Sequence, residues 1–263
     1  MCETWDSTPF QCSRPTYNSI GPRRFGVELE TSNCEDYEDI QDSTIWACKT
    51  DCSIDGMEFI SPVLWGDQGL REVARFCKLA SNWEFDSKCG YHVHLDMTHE
   101  LWRNMRSIAY AYLRTYPTIW SKMVTSRRAD NAMCGEAGYH NSELRQIHSY
   151  DDWCYFVGIR DRFEFVNWRA WFSHRTLEIR LHEGTLNSRT IINWIKLHSV
   201  FIDTVRTLEP DDIDLHFGSN SAWDNFSEII GDELSTFYRG RATSFGHALT
   251  PVERIILYNV CID

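Results

Sequence analysis

The sequence contains no apolar run near the ~20 residues that span a bilayer, and residues 1–24 lack the basic start and apolar stretch of a secretion signal. A membrane-spanning segment is therefore not expected, and a cytoplasmic location is. An excess of positive charge is also missing: 26 basic against 38 acidic residues give a net charge of −12, which opposes approach to nucleic acid or to an anionic membrane surface. There is no internal repeat and no low-complexity segment, which excludes array architectures. The ten cysteines have irregular spacing rather than that of a disulfide framework, so reduced thiols in a reducing compartment are expected. Cys48 and Cys52 flank Lys-Thr-Asp at a spacing a zinc site can use, but no second close pair completes four ligands.

What remains is a chain of 263 residues, 43% apolar and 24% charged with eleven tryptophans, a composition that builds a core and argues against disorder. Residues 1–21, without periodicity, read as an N-terminal arm, and 22–263 as a single catalytic domain whose C-terminal portion is helical. Helical spacing of Leu70, Val73, Ala74 and Cys77 predicts a helix over 66–81. Leu101, Met105, Ile108, Tyr112 and Leu113 predict another, ended by Pro117. Residues 125–152, with Arg127 and Arg128, read as a long polar loop. "RFEFVNW" (162–168) and "RTLEIRLHEGTL" (175–186) alternate as strands. A helix capped by Ser188 carries Ile191, Ile195, Ile202 and Val205, and the tail ends in the apolar run Ile255, Ile256, Leu257. Strands early and in the middle, with helices between and after, give the fold class α+β: a largely antiparallel sheet with helices packed on one face.

Three strands carry an uncommon pattern. "FGVELE" (25–30) sets Glu28 and Glu30 on one face against Val27 and Leu29. "CGYHVHLD" (89–96) does the same with His92, His94 and Asp96, and "TLEIRLHEG" (176–184) with Glu178, Arg180 and His182. A strand face turned to water explains any one of them. It explains all three poorly, because lysine is absent from these faces and every group is a metal ligand or an anion binder. If the strands are neighbours, their acids gather; two carboxylates ~4 Å apart repel by roughly 4 kcal/mol at an effective dielectric of 20. A divalent cation relieves that repulsion, and oxygen-rich ligation with an imidazole suits Mg²⁺ or Mn²⁺. In "DCSIDGMEFISP" (51–62) Glu58 repeats the pattern between Met57 and Phe59, while Asp55 fits a turn.

"FGVELE", "DCSIDGMEFISP", "CGYHVHLD", "RFEFVN" and "RTLEIRLHEGTL" together make the sequence resemble the amidoligase branch of the carboxylate-amine ligases, relatives of glutamine synthetase and glutamate-cysteine ligase. The resemblance covers residues 25 to about 195. It implies a glutamine synthetase-like catalytic domain that binds ATP and Mg²⁺ (or Mn²⁺) on the sheet and joins a small-molecule or peptide carboxylate to an amine through an acyl phosphate. By the same resemblance Glu28, Glu30, Glu58, His92 and Glu178 look like metal ligands. His94 and Arg175 look like contacts to the nucleotide, and Arg180 and Asp51 like catalytic groups. Asp51-Cys52-Ser53 stands where the family usually has Asp-Gly-Ser. Two other functions use the same residue types: a metal-dependent hydrolase built on the His/Glu cluster, and a noncatalytic binding module on the same fold. No general base stands apart from the ligand set, which weighs against the first, and so many retained acids weigh against the second.

Overall fold

The alternating segments form the central strands of a six-stranded open sheet in the computed structural model, which describes residues 23–34, 37–50, 54, 56–125, 131–218 and 222–247. The strands are β1 (Phe25–Thr31), β2 (Ala47–Thr50), β3 (Met57–Ile60), β4 (Gly90–Asp96), β5 (Val166–Asn167) and β6 (Thr176–Glu183). Their order is β2-β3-β1-β4-β6-β5, and every neighbouring pair is antiparallel. The helices of the described residues are α1 (Tyr37–Ser43), α2 (Gly66–Leu79), α3 (Trp102–Thr115), α4 (Asn141–Arg145), α5 (Tyr150–Gly158), α6 (Ala170–His174), α7 (Ser188–Val205), α8 (Pro210–Phe217) and α9 (Ala222–Ser244). The fold class is α+β, as expected. None of these helices is long and apolar enough to cross a membrane. The arm at 1–21, Asp51, Cys52, Ser53, Asp55, Arg127, Arg128 and the apolar run at 255–257 lie outside the described residues.

Chain contacts divide the protein into two compact units, one of Met1–Thr98 with Arg160–Ser199, the other of His99–Ile159 with Val200–Asp263. The first holds the whole sheet. Val27, Leu29, Val93, Leu95, Leu177 and Ile179 are fully buried on one face, where alternation places them together. Phe59 of β3 meets Phe76 of α2, and a Cβ on Gly69 of α2 would come within 3.0 Å of the Phe25 ring, so this helix lies tightly on β1. The Tyr91 hydroxyl donates to the Ile191 carbonyl of α7 at 3.2 Å. Fully burying apolar side chains of this kind contributes roughly 1.5–3 kcal/mol each.

Along β6 the alternation does not hold throughout. Val93 pairs with Ile179 but Tyr91 with His182, so two residues of β6, Arg180 and Leu181, stand opposite His92 alone. This β-bulge adds one residue and exchanges the faces beyond it. His182, expected beside Glu178 and Arg180, instead lies fully buried in the helix-covered layer, edge-on to Tyr91 and to Trp194 of α7. A second expectation is shortened. Within "RFEFVNW" only Val166 and Asn167 form a strand, paired with Ile179 and Glu178. The stretch read as a loop at 125–152 contains, among its described residues, α4 and the start of α5, whose Ser149 cap accepts from the Asp152 amide.

The second unit is helical. Trp120 sits edge-on to Phe201 and Phe226, and Tyr112 edge-on to Phe201, in its core. Asp214 of α8 accepts from Tyr110 of α3 and pairs with Arg114 of α3 and Arg145 of α4. α9 is interrupted at Gly231, whose φ of 77° is open to glycine at little cost.

Candidate metal and anion site on the sheet face

Opposite the apolar layer, register decides which polar groups meet. Glu28 lies across from His92, Glu30 from Glu58, His94 from Glu178, and Glu178 from Asn167. Cross-strand neighbours have Cβ atoms about 5 Å apart, so side chains of these lengths reach one another. His92 Nδ1 is 3.3 Å from a Glu28 oxygen and 3.5 Å from a Glu178 oxygen, while its Nε2 is 3.7 Å from Glu30. His94 Nε2 is 3.2 Å from the other Glu28 oxygen, and its Nδ1 lies 3.0 Å from Thr176 Oγ1. Arg180 pairs with Glu178 at 2.5 Å, and Asn167 donates to the second Glu178 oxygen. Glu30 also accepts from the Gly90 amide.

All of this is buried. The side chains of Glu30, Glu58, His92, His94 and Glu178 are at most 6% exposed, Arg180 is 9% and Glu28, the most open of them, 13%. A water-facing strand face is thereby ruled out for these residues. Two groups offer ligand atoms that all lie within 4.8 Å of one another: Glu28 with Glu58 and His92, and Glu28 with His94 and Glu178. Each supplies two carboxylates and an imidazole, a donor set suited to Mg²⁺ or Mn²⁺, and Glu28 belongs to both.

The charges are unevenly distributed. Burial works to raise the Glu28 carboxyl, but the His94 and His92 imidazoles outweigh it and hold it well below the usual range. Glu178 is likewise lowered, its burial overcome by His94 and Arg180. Burial lowers the proton affinity of His94, yet the Glu28 carboxylate more than reverses this. Glu58 goes the other way. Burial, then the charge of Glu28, push its carboxyl up to about 8, even though Lys49 Nζ lies 2.8 Å from Glu58 Oε2. The cluster thus favours the ionised forms of Glu28 and Glu178 beside His94 and Arg180, and the protonated form of Glu58.

Seven of the sequence-derived candidates, Glu28, Glu30, Glu58, His92, His94, Glu178 and Arg180, are brought into one cluster. His94, expected as a phosphate contact, also shares a ligand group with Glu28 and Glu178. Arg175 follows α6 in a left-handed conformation, φ 56°, and its exposed guanidinium lies 4.7 Å over the Trp171 ring. Asp96 closes the end of β4, paired with Arg24 and accepting from Thr98. Asp51 falls outside the described residues. Lys49 and His174 were missed by sequence reasoning. Lys49 stands in a four-residue strand whose polarity reads as a surface edge, and His174, with its ring 6.1 Å from that of His94, lies at a helix end with no strand alternation to mark it.

The sheet therefore presents one apolar face and one face on which carboxylates, imidazoles and a guanidinium are gathered. The chain matches, over residues 33–202, the family described as "Putative amidoligase enzyme". That is more than half of its length, and the protein belongs to this amidoligase family. The matched segment includes Glu58, His92, His94, Glu178 and Arg180 and begins after "FGVELE", so Glu28 and Glu30 join the site through the pairing of β1 with β3 and β4. No curated protein matches the sequence significantly.

Proposed function

We propose that the protein is an ATP-dependent carboxylate-amine ligase that forms an amide or peptide-like bond through an acyl phosphate, with a site organised as in glutamine synthetase and glutamate-cysteine ligase. The observation that carries this reading is the pair of ligand groups sharing Glu28, buried beside Arg180 on the sheet face. Family membership supports ligation and disfavours hydrolysis. Glu28, Glu58 and His92, and Glu28, His94 and Glu178, would hold Mg²⁺ or Mn²⁺, and Glu30 adds a further carboxylate beside His92. ATP with its divalent cations supplies an activated phosphoryl group and neutralises charge on its oxygens.

The protein's own residues do the rest. Arg180 is oriented by Glu178, and its planar fork suits an oxygen pair of the substrate carboxylate or of the transferring phosphoryl group. Asn167 fixes the second Glu178 oxygen, so this carboxylate is held from both sides. Thr176 orients the His94 ring. Burial excludes water, which strengthens each of these contacts and protects an acyl phosphate from hydrolysis. Arg175 and Asp51 complete the reading as a nucleotide contact and a catalytic group. The test is incubation with ATP, Mg²⁺ and mixed carboxylates and amines. Release of ADP and phosphate that requires both an acid and an amine supports ligation; ATP-independent cleavage overturns it.

A further inference from the structure

Lys49 reaches the cluster from outside. Its Cα lies across from Glu58 on the neighbouring strand, its side chain is 54% exposed, and its ammonium sits 2.8 Å from an oxygen of a carboxyl that is only 4% exposed. Glu58 is also one of three residues whose ligand atoms lie close enough to share a cation with Glu28 and His92. A divalent cation there and the Lys49 ammonium would compete for the same carboxylate, and two positive groups would face each other at contact distance. The ammonium ends a four-carbon stem with free rotation and has a path into solvent, so it can leave where a buried group could not.

We propose that Lys49 is a phosphate-binding residue of this site, held on Glu58 while no cation is bound and transferred to nucleotide phosphate once a cation takes that carboxylate. This rests on the ATP reading above. Three features point to phosphate as the destination. Displacement drives the ammonium away from the cation but leaves it on the same sheet face, beside whatever anion the cation holds. Bound nucleotide presents more negative charge than Glu58 gives up. A lysine point charge serves phosphate without needing a fixed geometry, which suits a residue on an exposed edge. In the empty site the ammonium occupies the Glu58 oxygen that a cation would take, so metal and nucleotide binding respond to its loss in opposite directions.

The experiment is two titrations of Lys49→Met, which keeps the stem and removes the charge, beside wild type. Mn²⁺ alone is expected to bind several-fold more tightly to the variant, because its competitor for Glu58 is gone. The Mg²⁺ complex of a nonhydrolysable ATP analogue is expected to bind roughly 10- to 100-fold more weakly, with a shallower salt dependence. Lys49→Arg, which restores the charge, is expected to recover most of the nucleotide affinity. A lysine that merely supports the strand edge would weaken both titrations together, and that result overturns the assignment. Wild type that binds the nucleotide, with Lys49→Met matching it in both titrations, removes Lys49 and leaves the ligase reading intact. Wild type that binds Mn²⁺ and no nucleotide overturns the ATP reading and Lys49 with it.

Discussion

Glu58→Gln in the metal-free protein separates the surplus acid of the cluster from the rest. Glutamine has nearly the shape of a protonated glutamate, so the variant fixes the form that Glu58 already holds at low pH. In the folded protein burial and the Glu28 charge put this carboxyl at about 8 instead of the ordinary 4.5. Between those values the folded state keeps a proton that the unfolded state releases. Stability in wild type therefore falls as pH rises through that window, by up to about 1.4 kcal/mol per unit where the difference is one whole proton. Over the full window the loss approaches about 5 kcal/mol, and above it the curve is flat. Glu58→Gln removes this component while leaving those of Glu28, Glu178 and His94 in place. Urea unfolding in EDTA at pH 5, 6, 7, 8 and 9 reads it directly. The two proteins should match within about 1 kcal/mol at pH 5, and the variant should pull ahead by roughly 3–5 kcal/mol at pH 8–9, about 1 M or more in urea midpoint. A difference that does not change with pH would mean that Glu58 is ionised throughout, and the account of the cluster's charge would be wrong.

The other expectations concern ligands and turnover. Glu28→Gln should abolish Mn²⁺ binding at both ligand groups, whereas Glu178→Gln should spare the group formed with Glu58 and His92; both should remain folded by circular dichroism and lose ATP turnover. Full ADP release by either variant would remove that residue from the site. His92→Ala should weaken Mn²⁺ binding in the absence of nucleotide by roughly 10- to 100-fold, and His94→Ala should mainly raise the Michaelis constant for ATP, so identical metal titrations for wild type and His92→Ala would contradict the division. Arg180→Lys keeps the charge and loses the fork, and should slow steady-state ADP release by roughly 10- to 1000-fold, ~1.4 to 4 kcal/mol of barrier. Near-normal turnover with nucleotide binding intact would reduce Arg180 to the partner of Glu178.

Period-two alternation made Glu28, Glu30, Glu58, His92, His94, Glu178 and Arg180 legible, because a strand with one buried apolar face commits its other residues to a single side. The antiparallel sheet and the helices 66–79, 102–115 and 188–205 were legible for the same kind of reason, their apolar residues recurring at helical spacing. Pairing partners were not. Alternation says which face a residue takes but not which strand lies beside it, so the inequality of the acids was hidden. Glu28 is held ionised by two imidazoles, while Glu58 faces Glu28 and keeps its proton. Lys49 could be found only from the pairing of β2 with β3. The bulge in β6 left no mark either, since Arg180, Leu181 and His182 continue the alternation in sequence while the structure abandons it.

That bulge makes β6 behave like a message read in two frames. Up to Arg180 its even-numbered residues serve the polar face; beyond the bulge His182 belongs to the packing with Tyr91 and Trp194. One strand can then supply a carboxylate to the cluster and a core residue four positions apart, which strict alternation forbids. The number of residues in the strand therefore sets which of them stand opposite β4 on either side of the bulge. Deleting a single residue between Ile179 and His182 would restore the ladder, keep His182 opposite Tyr91 in the core, and leave one residue instead of two opposite His92, at the cost of Arg180 or of Leu181. Within this strand the count of residues, and not only their kind, decides which side chains the cluster receives.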